Sequence, residues 1–89
     1  MASQKPLRKP DYRLETIDDE LLLFHPAKTQ VLYCNPSASM IWQLCDGQRT
    51  THEIVSLLSD AYPEATDEIA RDVEATLQTF SEYGAIEFV

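Results

Sequence analysis

The soft metal ligands of this chain, its cysteines and histidines, are few and widely spaced. The cysteines are Cys34 and Cys45, and the histidines are His25 and His52. Zinc ligands typically come in close pairs such as C-x-x-C or H-x-x-x-H, and no such pair is present here. Nucleophilic catalysis needs a Cys or Ser held beside a base, and nothing in the spacing demands that arrangement. We expect no metal site and no catalytic nucleophile.

Carboxylates and glycines offer no other catalytic pattern. The 15 Asp and Glu residues fall at turns, at helix starts and on exposed helix faces. Isolated surface carboxylates keep nearly normal pKa values and do no acid–base work. The only glycines, Gly47 and Gly84, each follow a helical pattern and indicate helix ends, so no glycine-rich phosphate loop exists. We therefore predict that the protein is not an enzyme and binds no cofactor.

Length and charge narrow the classes of partner. A chain of 89 residues can form one small domain, and its formal charge is −8. Nucleic-acid binding relies on Lys and Arg against phosphate, so this charge predicts no nucleic-acid partner. No segment approaches the roughly 20 apolar residues that span a bilayer, which predicts no membrane partner. The basic N-terminus lacks the apolar region of a secretory signal, and the two cysteines suit free thiols, so we expect a cytoplasmic protein.

The first third of the chain predicts an arm and then a sheet. Residues 1–10 contain two prolines and three basic residues, and we expect a flexible basic arm followed by one domain over residues 11–89. Alternation over residues 12–16 predicts a half-buried strand, and the apolar run over residues 21–24 predicts a central strand. Residues 30–34 predict a third strand. The three form an antiparallel meander, with a turn at Asp18-Asp19.

Two helices with clear boundary signals follow the strands. Asn35 is a helix N-cap with Pro36 in the first helical position, and Asp46-Gly47 ends that helix. Its apolar face is Ala38, Ile41, Trp42 and Cys45. Thr50 and Glu53 form a capping box that begins a second helix, whose apolar face is Ile54, Leu57, Leu58 and Ala61. We assign Trp42, Ile54 and Leu58 to the core.

A third, longer helix ends the helical part of the chain. Thr66 is its predicted N-cap, acidic residues occupy its first turn, and Gly84 is its predicted C-cap. Its apolar stripe is Ile69, Val73, Leu77 and Phe80. Residues 85–89 end apolar and predict either a short strand or an extended tail on the core.

The third strand of the meander differs from an ordinary edge strand. Edge strands normally carry charges that discourage pairing, as the first strand does with Arg13 and Glu15. The third strand carries neither charge nor proline before Pro36. The pattern alone leaves two alternatives open: the edge accepts an added strand from a peptide, or a helix or the N-terminal arm covers it.

A resemblance to a known family rests on the residues of the first two helices. A hydrophobic strand followed by Asn, small residues, Ile-Trp, Leu-Cys-Asp-Gly, Arg-Thr and Glu-Ile resembles the PqqD family. That family comprises the small PqqD protein of pyrroloquinoline-quinone biosynthesis and the peptide-binding domains called RiPP recognition elements. The resemblance extends over residues 12–89, and it is specific over residues 42–54.

The resemblance implies a fold, a function and a site. The fold is α+β and winged-helix-like: a three-stranded antiparallel sheet, three helices and a short C-terminal strand. The implied partner is the leader segment of a ribosomally made precursor peptide, which adds as a strand to the third strand and lies against the third helix. A modifying enzyme of the pathway, such as a radical-SAM enzyme, a protease or a cyclase, is the second implied partner. The implied peptide-binding residues are Val31, Leu32, Tyr33 and Cys34 on the strand and Ile69, Asp72, Val73, Thr76, Leu77 and Phe80 on the helix.

Other functions and assemblies stay open on sequence alone. The apolar stripe of the third helix is more typical of plain core, and only its rim can line a groove. A winged-helix DNA-binding module is the alternative function, although the helix after the Gly47 turn contains only His52 as a cation. A structural subunit of a larger enzyme is a third class. The pattern does not distinguish quinone-cofactor, lasso-peptide and radical-enzyme pathways, nor the leader recognised, and an unguarded edge could also pair with a second copy.

Overall fold

The protein, which a computed structural model describes over residues 4–89, combines two small sheets with three helices. The strands are β1 (Pro6–Arg8), β2 (Arg13–Ile17), β3 (Glu20–Phe24), β4 (Val31–Cys34) and β5 (Ile86–Phe88). The helices are α1 (Pro36–Leu44), α2 (Thr51–Ala61) and α3 (Thr66–Tyr83), and a single 3₁₀ turn, Pro63–Ala65, connects α2 to α3. This arrangement confirms the predicted α+β class.

The larger sheet is the predicted antiparallel meander. Its strand order is β2-β3-β4, with Leu23 of the central strand paired to Leu14 on one side and Leu32 on the other. The β2–β3 turn is Asp18-Asp19, and both residues adopt positive φ angles of 51° and 65°. Short polar side chains tolerate this conformation, which matches the twist of a hairpin.

Three helix boundaries are as predicted, whereas α1 ends at Leu44 with Cys45 as its C-cap, before the predicted end at Asp46-Gly47. Asn35 Oδ1 accepts a hydrogen bond from the Ala38 N–H at 2.8 Å and begins α1. Thr50 and Glu53 form the reciprocal capping box of α2, with bonds of 2.9 and 3.1 Å. Gly84, with a φ of 85°, ends α3 in the left-handed conformation that favours glycine.

The predicted cap of α3 is wrong by one residue. The N-cap position is Ala65, which makes no side-chain capping bond, and Thr66 is already helical. Thr66 Oγ1 instead donates to the Pro63 carbonyl at 3.0 Å. The 3₁₀ turn places this acceptor directly before α3. The Thr66 hydroxyl therefore bonds to the preceding Pro63 carbonyl and does not accept a capping bond from an N–H of α3.

Part of the predicted flexible arm is a strand. Residues 1–3 of that arm lie outside the described residues, but Pro6–Arg8 form β1, which pairs antiparallel with β5. Pro6 is fully buried, and Arg8 Nη1 donates to the last carbonyls of α1, Gln43 O at 2.6 Å and Trp42 O at 3.2 Å. A cation at a helix C-terminus satisfies free carbonyls and complements the helix dipole. The prediction missed this strand because its partners lie far away in the chain.

The α1–α2 turn lies against β1. Gly47 has a φ of 76°, and its N–H donates to the Pro6 carbonyl at 2.9 Å. A Cβ atom at this position would lie 3.0 Å from Leu7 Cδ1. Gly47 is therefore required both by its backbone conformation and by the close approach of β1.

The core lies where the helices meet the inner face of the meander. Trp42 and Phe80 pack edge to face with ring centroids 5.5 Å apart. Trp42, Ile54 and Leu58 are buried, as predicted, whereas Leu57 and Ala61 of α2 are exposed. The buried apolar face of α2 is thus narrower than the spacing of its apolar residues indicated, because α2 packs mainly against α3. No helix between residues 4 and 89 is long and apolar enough to cross a membrane.

Candidate functional site

The outer edge of the meander at β4 pairs with no other strand in residues 4–89. The side chains of β4 alternate: Leu32 and Cys34 are half-buried and pack against the core, whereas Val31 and Tyr33 are exposed. Tyr33 is 72% exposed, the largest such fraction among the exposed large apolar side chains of residues 4–89. The edge carries no charge, so it has none of the usual protection against an added strand.

The edge borders a groove that separates β4 from α3. We call it the strand–helix groove, and it has a volume of about 190 Å³. Its strand side and floor are Leu32, Tyr33, Cys34, Asn35 and Ala38, and its helix side is Thr76, Thr79 and Phe80. Phe80 is almost completely buried and forms part of the floor, while Thr76 and Thr79 lie higher on the wall. A peptide at this edge would contact both elements at once.

A cluster of aromatic and basic side chains holds the two walls together at one end of the groove. Tyr83, at the end of α3, donates its hydroxyl hydrogen to the Gln30 carbonyl just before β4. Tyr12 donates to the Tyr83 carbonyl at 3.1 Å, and Lys28 Nζ lies 2.6 Å from the Tyr12 hydroxyl. The Lys28 ammonium also lies over both rings, 5.2 and 5.8 Å from their centroids. These contacts set the spacing between β4 and α3 without using a residue of the groove itself.

A second, larger cavity lies beside α3, nearer to the start of that helix. We call it the helix cavity; its volume is about 410 Å³. Its lining is mostly apolar and comes from α1, the end of α2, the 3₁₀ turn and α3: Pro36, Ser37, Met40, Ile41, Leu58, Tyr62, Ala65, Glu68, Ile69, Asp72 and Val73. Asn35 of the groove precedes Pro36 in the chain, and Thr76 of the groove lies one helical turn from Asp72. The two cavities are therefore neighbours along one face of α3.

The structure distributes the ten predicted peptide-binding residues over three places. Val31, Leu32, Tyr33, Cys34, Thr76 and Phe80 lie on the β4 edge or line the strand–helix groove. Ile69, Asp72 and Val73 line the helix cavity. Leu77 is buried in the core and lines neither cavity, and Val73 has no exposed surface, so it forms the floor of its cavity.

Sequence reasoning did not single out several lining residues. Thr79 and Ala38 line the groove, and Met40, Tyr62 and Glu68 line the helix cavity. The spacing offered one signal: Glu68, Asp72, Thr76 and Thr79 recur every three or four residues, which places them on one face of α3 beside the apolar stripe. Tyr62 carried no such signal, because it follows α2 in a turn.

The two thiols are unsuited to nucleophilic chemistry. The pKa of Cys45 is raised to about 12. Burial is the main cause, and the charge of Arg8 opposes the rise while that of Asp46 adds to it. The Cys45 thiol donates to the Ile41 carbonyl at 3.1 Å. Burial also raises the pKa of Cys34, whose Sγ lies 3.9 Å from the Leu32 carbonyl. Both groups are neutral thiols at pH 7, and the thiolate is the reactive form.

Charge is unevenly distributed along the chain. Residues 53–89 contain nine of the 15 acidic residues and one of the seven basic residues, so they account for the whole formal charge of −8. That stretch includes most of α2 and all of α3. Within residues 4–89, no group of three or more His, Cys, Asp or Glu side chains is arranged to hold a metal ion.

Comparison with known proteins identifies the family. The sequence model for "Coenzyme PQQ synthesis protein D (PqqD)" matches residues 20–86. The chain belongs to the PqqD family. In this PqqD-family protein the matched region includes β3, β4 and all three helices, and it ends at the first residue of β5.

The fold has a solved counterpart. The structure "TbiB1 in Complex with the TbiA(beta) Leader Peptide" superposes with a TM-score of 0.71 and 22% sequence identity, covering 91% of this chain and 94% of that one. At this identity the similarity establishes the shared fold. No curated protein matches the chain at a significant level.

Proposed function

We propose that this PqqD-family protein binds the leader segment of a ribosomally synthesised precursor peptide and presents the peptide to a modifying enzyme. The observation that carries the proposal is the uncharged edge of β4, which is unpaired within residues 4–89 and borders the strand–helix groove. Family membership and the fold shared with TbiB1, which was solved with a leader peptide, support it.

Strand addition divides recognition into two parts. The backbone groups of β4 would bond to the backbone of the leader, which supplies affinity with little dependence on sequence. Alternate leader side chains would point into the groove between β4 and α3, because successive side chains of a strand point to opposite faces. Thr76 and Thr79 at the wall and Phe80 at the floor would then select side chains that fit.

The protein would act by holding its partners together. Its thiols are neutral and its carboxylates lie at the surface, so we assign the chemistry to a separate enzyme of the pathway, a radical-SAM enzyme, protease or cyclase. A peptide held beside an enzyme reaches a high effective concentration without any new chemical group. The two free thiols suit a reducing compartment, and we place this function in the cytoplasm.

The DNA-binding alternative has no support in the described residues. The helix that follows the Gly47 turn, α2, contains no Lys or Arg, and α3 contains Arg71 alone. With one basic side chain on these two helices, phosphate contacts would add little to affinity. We therefore propose peptide binding alone.

An NMR titration tests the proposal. The probe is a synthetic peptide spanning the leader of a short precursor encoded next to the gene. We expect the largest amide shifts at Val31–Cys34 and slowed hydrogen exchange of the peptide backbone. Thr76→Glu should weaken binding at least tenfold, because it places a charge in the groove wall.

Gln78→Glu is the matched control for Thr76→Glu. Gln78 lies on the same helix, is exposed and lines neither cavity, and the substitution adds the same charge. Binding by Gln78→Glu should equal that of the wild type. Amide shifts confined to α2 and the Gly47 turn, with β4 unchanged, would reject strand addition.

A further inference from the structure

The helix cavity carries features that the strand–helix groove lacks. It has about twice the volume of the groove, 410 against 190 Å³, and lies within the range of about 300–1,000 Å³ typical of small-ligand sites. Its apolar lining includes Met40 and Ile69, both half-buried, and the exposed ring of Tyr62. Methionine adapts its shape to different apolar guests. A large apolar side chain would therefore fit here.

Two carboxylates border this apolar cavity. Glu68 and Asp72 are four residues apart on α3, so they lie on the same face of the helix, and both line the cavity. Both are exposed, and neither is in ion-pair contact with a Lys, Arg or His side chain within residues 4–89. The carboxylates are thus available to a cation brought by a partner.

The position of the cavity identifies which part of a partner would reach it. β4 leads into α1 at Asn35 and Pro36, and Pro36 lines the cavity. A peptide paired antiparallel with β4 has its N-terminal end beside Cys34, at the start of α1. Residues that precede the pairing segment would therefore extend toward the helix cavity.

The acidic charge of the chain favours a basic peptide over a second copy of the chain as the partner at this surface. A second copy would bring another −8 charge to an edge beside α3, which itself carries five acidic residues and one basic residue. A peptide that carries Lys or Arg is attracted by the same field.

We infer that the helix cavity binds a large apolar side chain located N-terminal to the pairing segment of the leader, and that Glu68 and Asp72 bind a Lys or Arg adjacent to it. The inference rests on the proposed leader binding and adds a chemical class to it: an apolar anchor next to a cation. The apolar side chain supplies buried area, and the cation supplies selectivity and a salt dependence.

Peptide selection tests the inference without knowledge of the natural leader. Random dodecapeptides displayed on phage are selected on the full-length wild-type protein at low ionic strength, where exposed ion pairs are least screened. Peptides that also bind Thr76→Glu are discarded, which keeps those that use the strand–helix groove. The retained peptides should be enriched in Lys or Arg next to Leu, Met or an aromatic residue, N-terminal to a β-prone segment.

Variants of α3 separate the two carboxylates from the general field. Glu68→Gln with Asp72→Asn should bind a selected Lys peptide roughly two- to fivefold more weakly for each carboxylate removed, the range of exposed ion pairs. For the Lys→Gln version of that peptide, this double variant and the wild-type protein should have equal affinities. Glu74→Gln with Glu82→Gln is the control, because it removes two exposed charges of α3 that line neither cavity.

Other outcomes would overturn the inference in part or in full. Equal weakening by the two double variants would overturn the role of Glu68 and Asp72. Selected peptides without the cation would overturn the proposed class while leaving strand addition intact. Ser37→Phe, which narrows the cavity from an exposed position of α1, should abolish the apolar preference, and an unchanged preference would place the anchor elsewhere. A library from which no peptide depends on Thr76 would reject both the inference and the proposed function.

Discussion

Trp42 connects α1 to α3. It is buried and packs edge to face on Phe80, 5.5 Å between centroids, and so links the helix that follows the β4 edge to the helix that faces it. We predict that Trp42→Ala lowers the free energy of unfolding by about 3–5 kcal/mol. Because small domains have total stabilities of about 5–15 kcal/mol, this change should unfold much of the protein. Urea unfolding followed by circular dichroism measures the loss.

Cys45→Ser is the companion variant. It also changes a fully buried side chain of the α1 end, but the serine hydroxyl retains the bond to the Ile41 carbonyl. Its effect should be smaller than that of Trp42→Ala. A Trp42→Ala midpoint equal to that of the wild type would contradict the core assignment and identify the tryptophan as a surface residue.

Individual residues were predictable where a local rule determines them. Asn35, the Thr50–Glu53 box and Gly84 were predicted as caps because each bond joins residues a few positions apart. Val73 and Thr76 illustrate the limit. Both lie near the apolar stripe of α3, but whether each faces the core or a groove depends on where β4 and α1 pack, and spacing along one helix contains no information on that.

At the scale of elements, β1 is the strand that the local amino-acid composition did not predict. Its segment is short, follows a lysine and contains a proline, which locally indicates a tail. Its structure depends on distant partners: Lys5 and Val89 exchange backbone bonds of 2.9 and 3.1 Å, and the Arg8 N–H donates to the Cys45 carbonyl at 3.0 Å. Pairing between the two ends of the chain leaves no periodic signal in either segment.

Deletion of β1 is the element-scale prediction. Removal of residues 1–9 eliminates the pairing with β5 and the Arg8 bonds to α1, so the free energy of unfolding should fall by at least about 2 kcal/mol, given about 0.5–1.5 kcal/mol for each hydrogen bond. Thermal unfolding measures the change. Removal of residues 1–4 retains the paired residues and should have little effect. Equal melting temperatures for the two deletions would mean that β1 contributes nothing to stability.

At the scale of the whole molecule, charge separates the protein from DNA-binding helix-turn-helix proteins. The acidic stretch over residues 53–89 contains α3 and most of α2. Counterion release from phosphates, which drives non-specific DNA binding, requires several cations, and these two helices have only Arg71. We predict no retardation of a mixed-sequence DNA duplex in gel-shift titrations, even at low salt. Tight retardation that weakens with added salt would instead support the DNA-binding alternative.

The direction of the bound peptide is the last whole-molecule prediction. Antiparallel pairs are slightly more stable than parallel ones, and antiparallel pairing with β4 takes the N-terminal end of the peptide toward the helix cavity. The C-terminal end, which leads to the modified core, then leaves beside Gln30 and Tyr83. A nitroxide label on the peptide tests this direction, because it broadens nearby amide signals. An N-terminal label should broaden Ser37, Met40 and Ile69, and a C-terminal label should broaden Lys28 to Gln30. The reverse pattern would demonstrate parallel pairing and would move the apolar anchor to the C-terminal side of the paired segment.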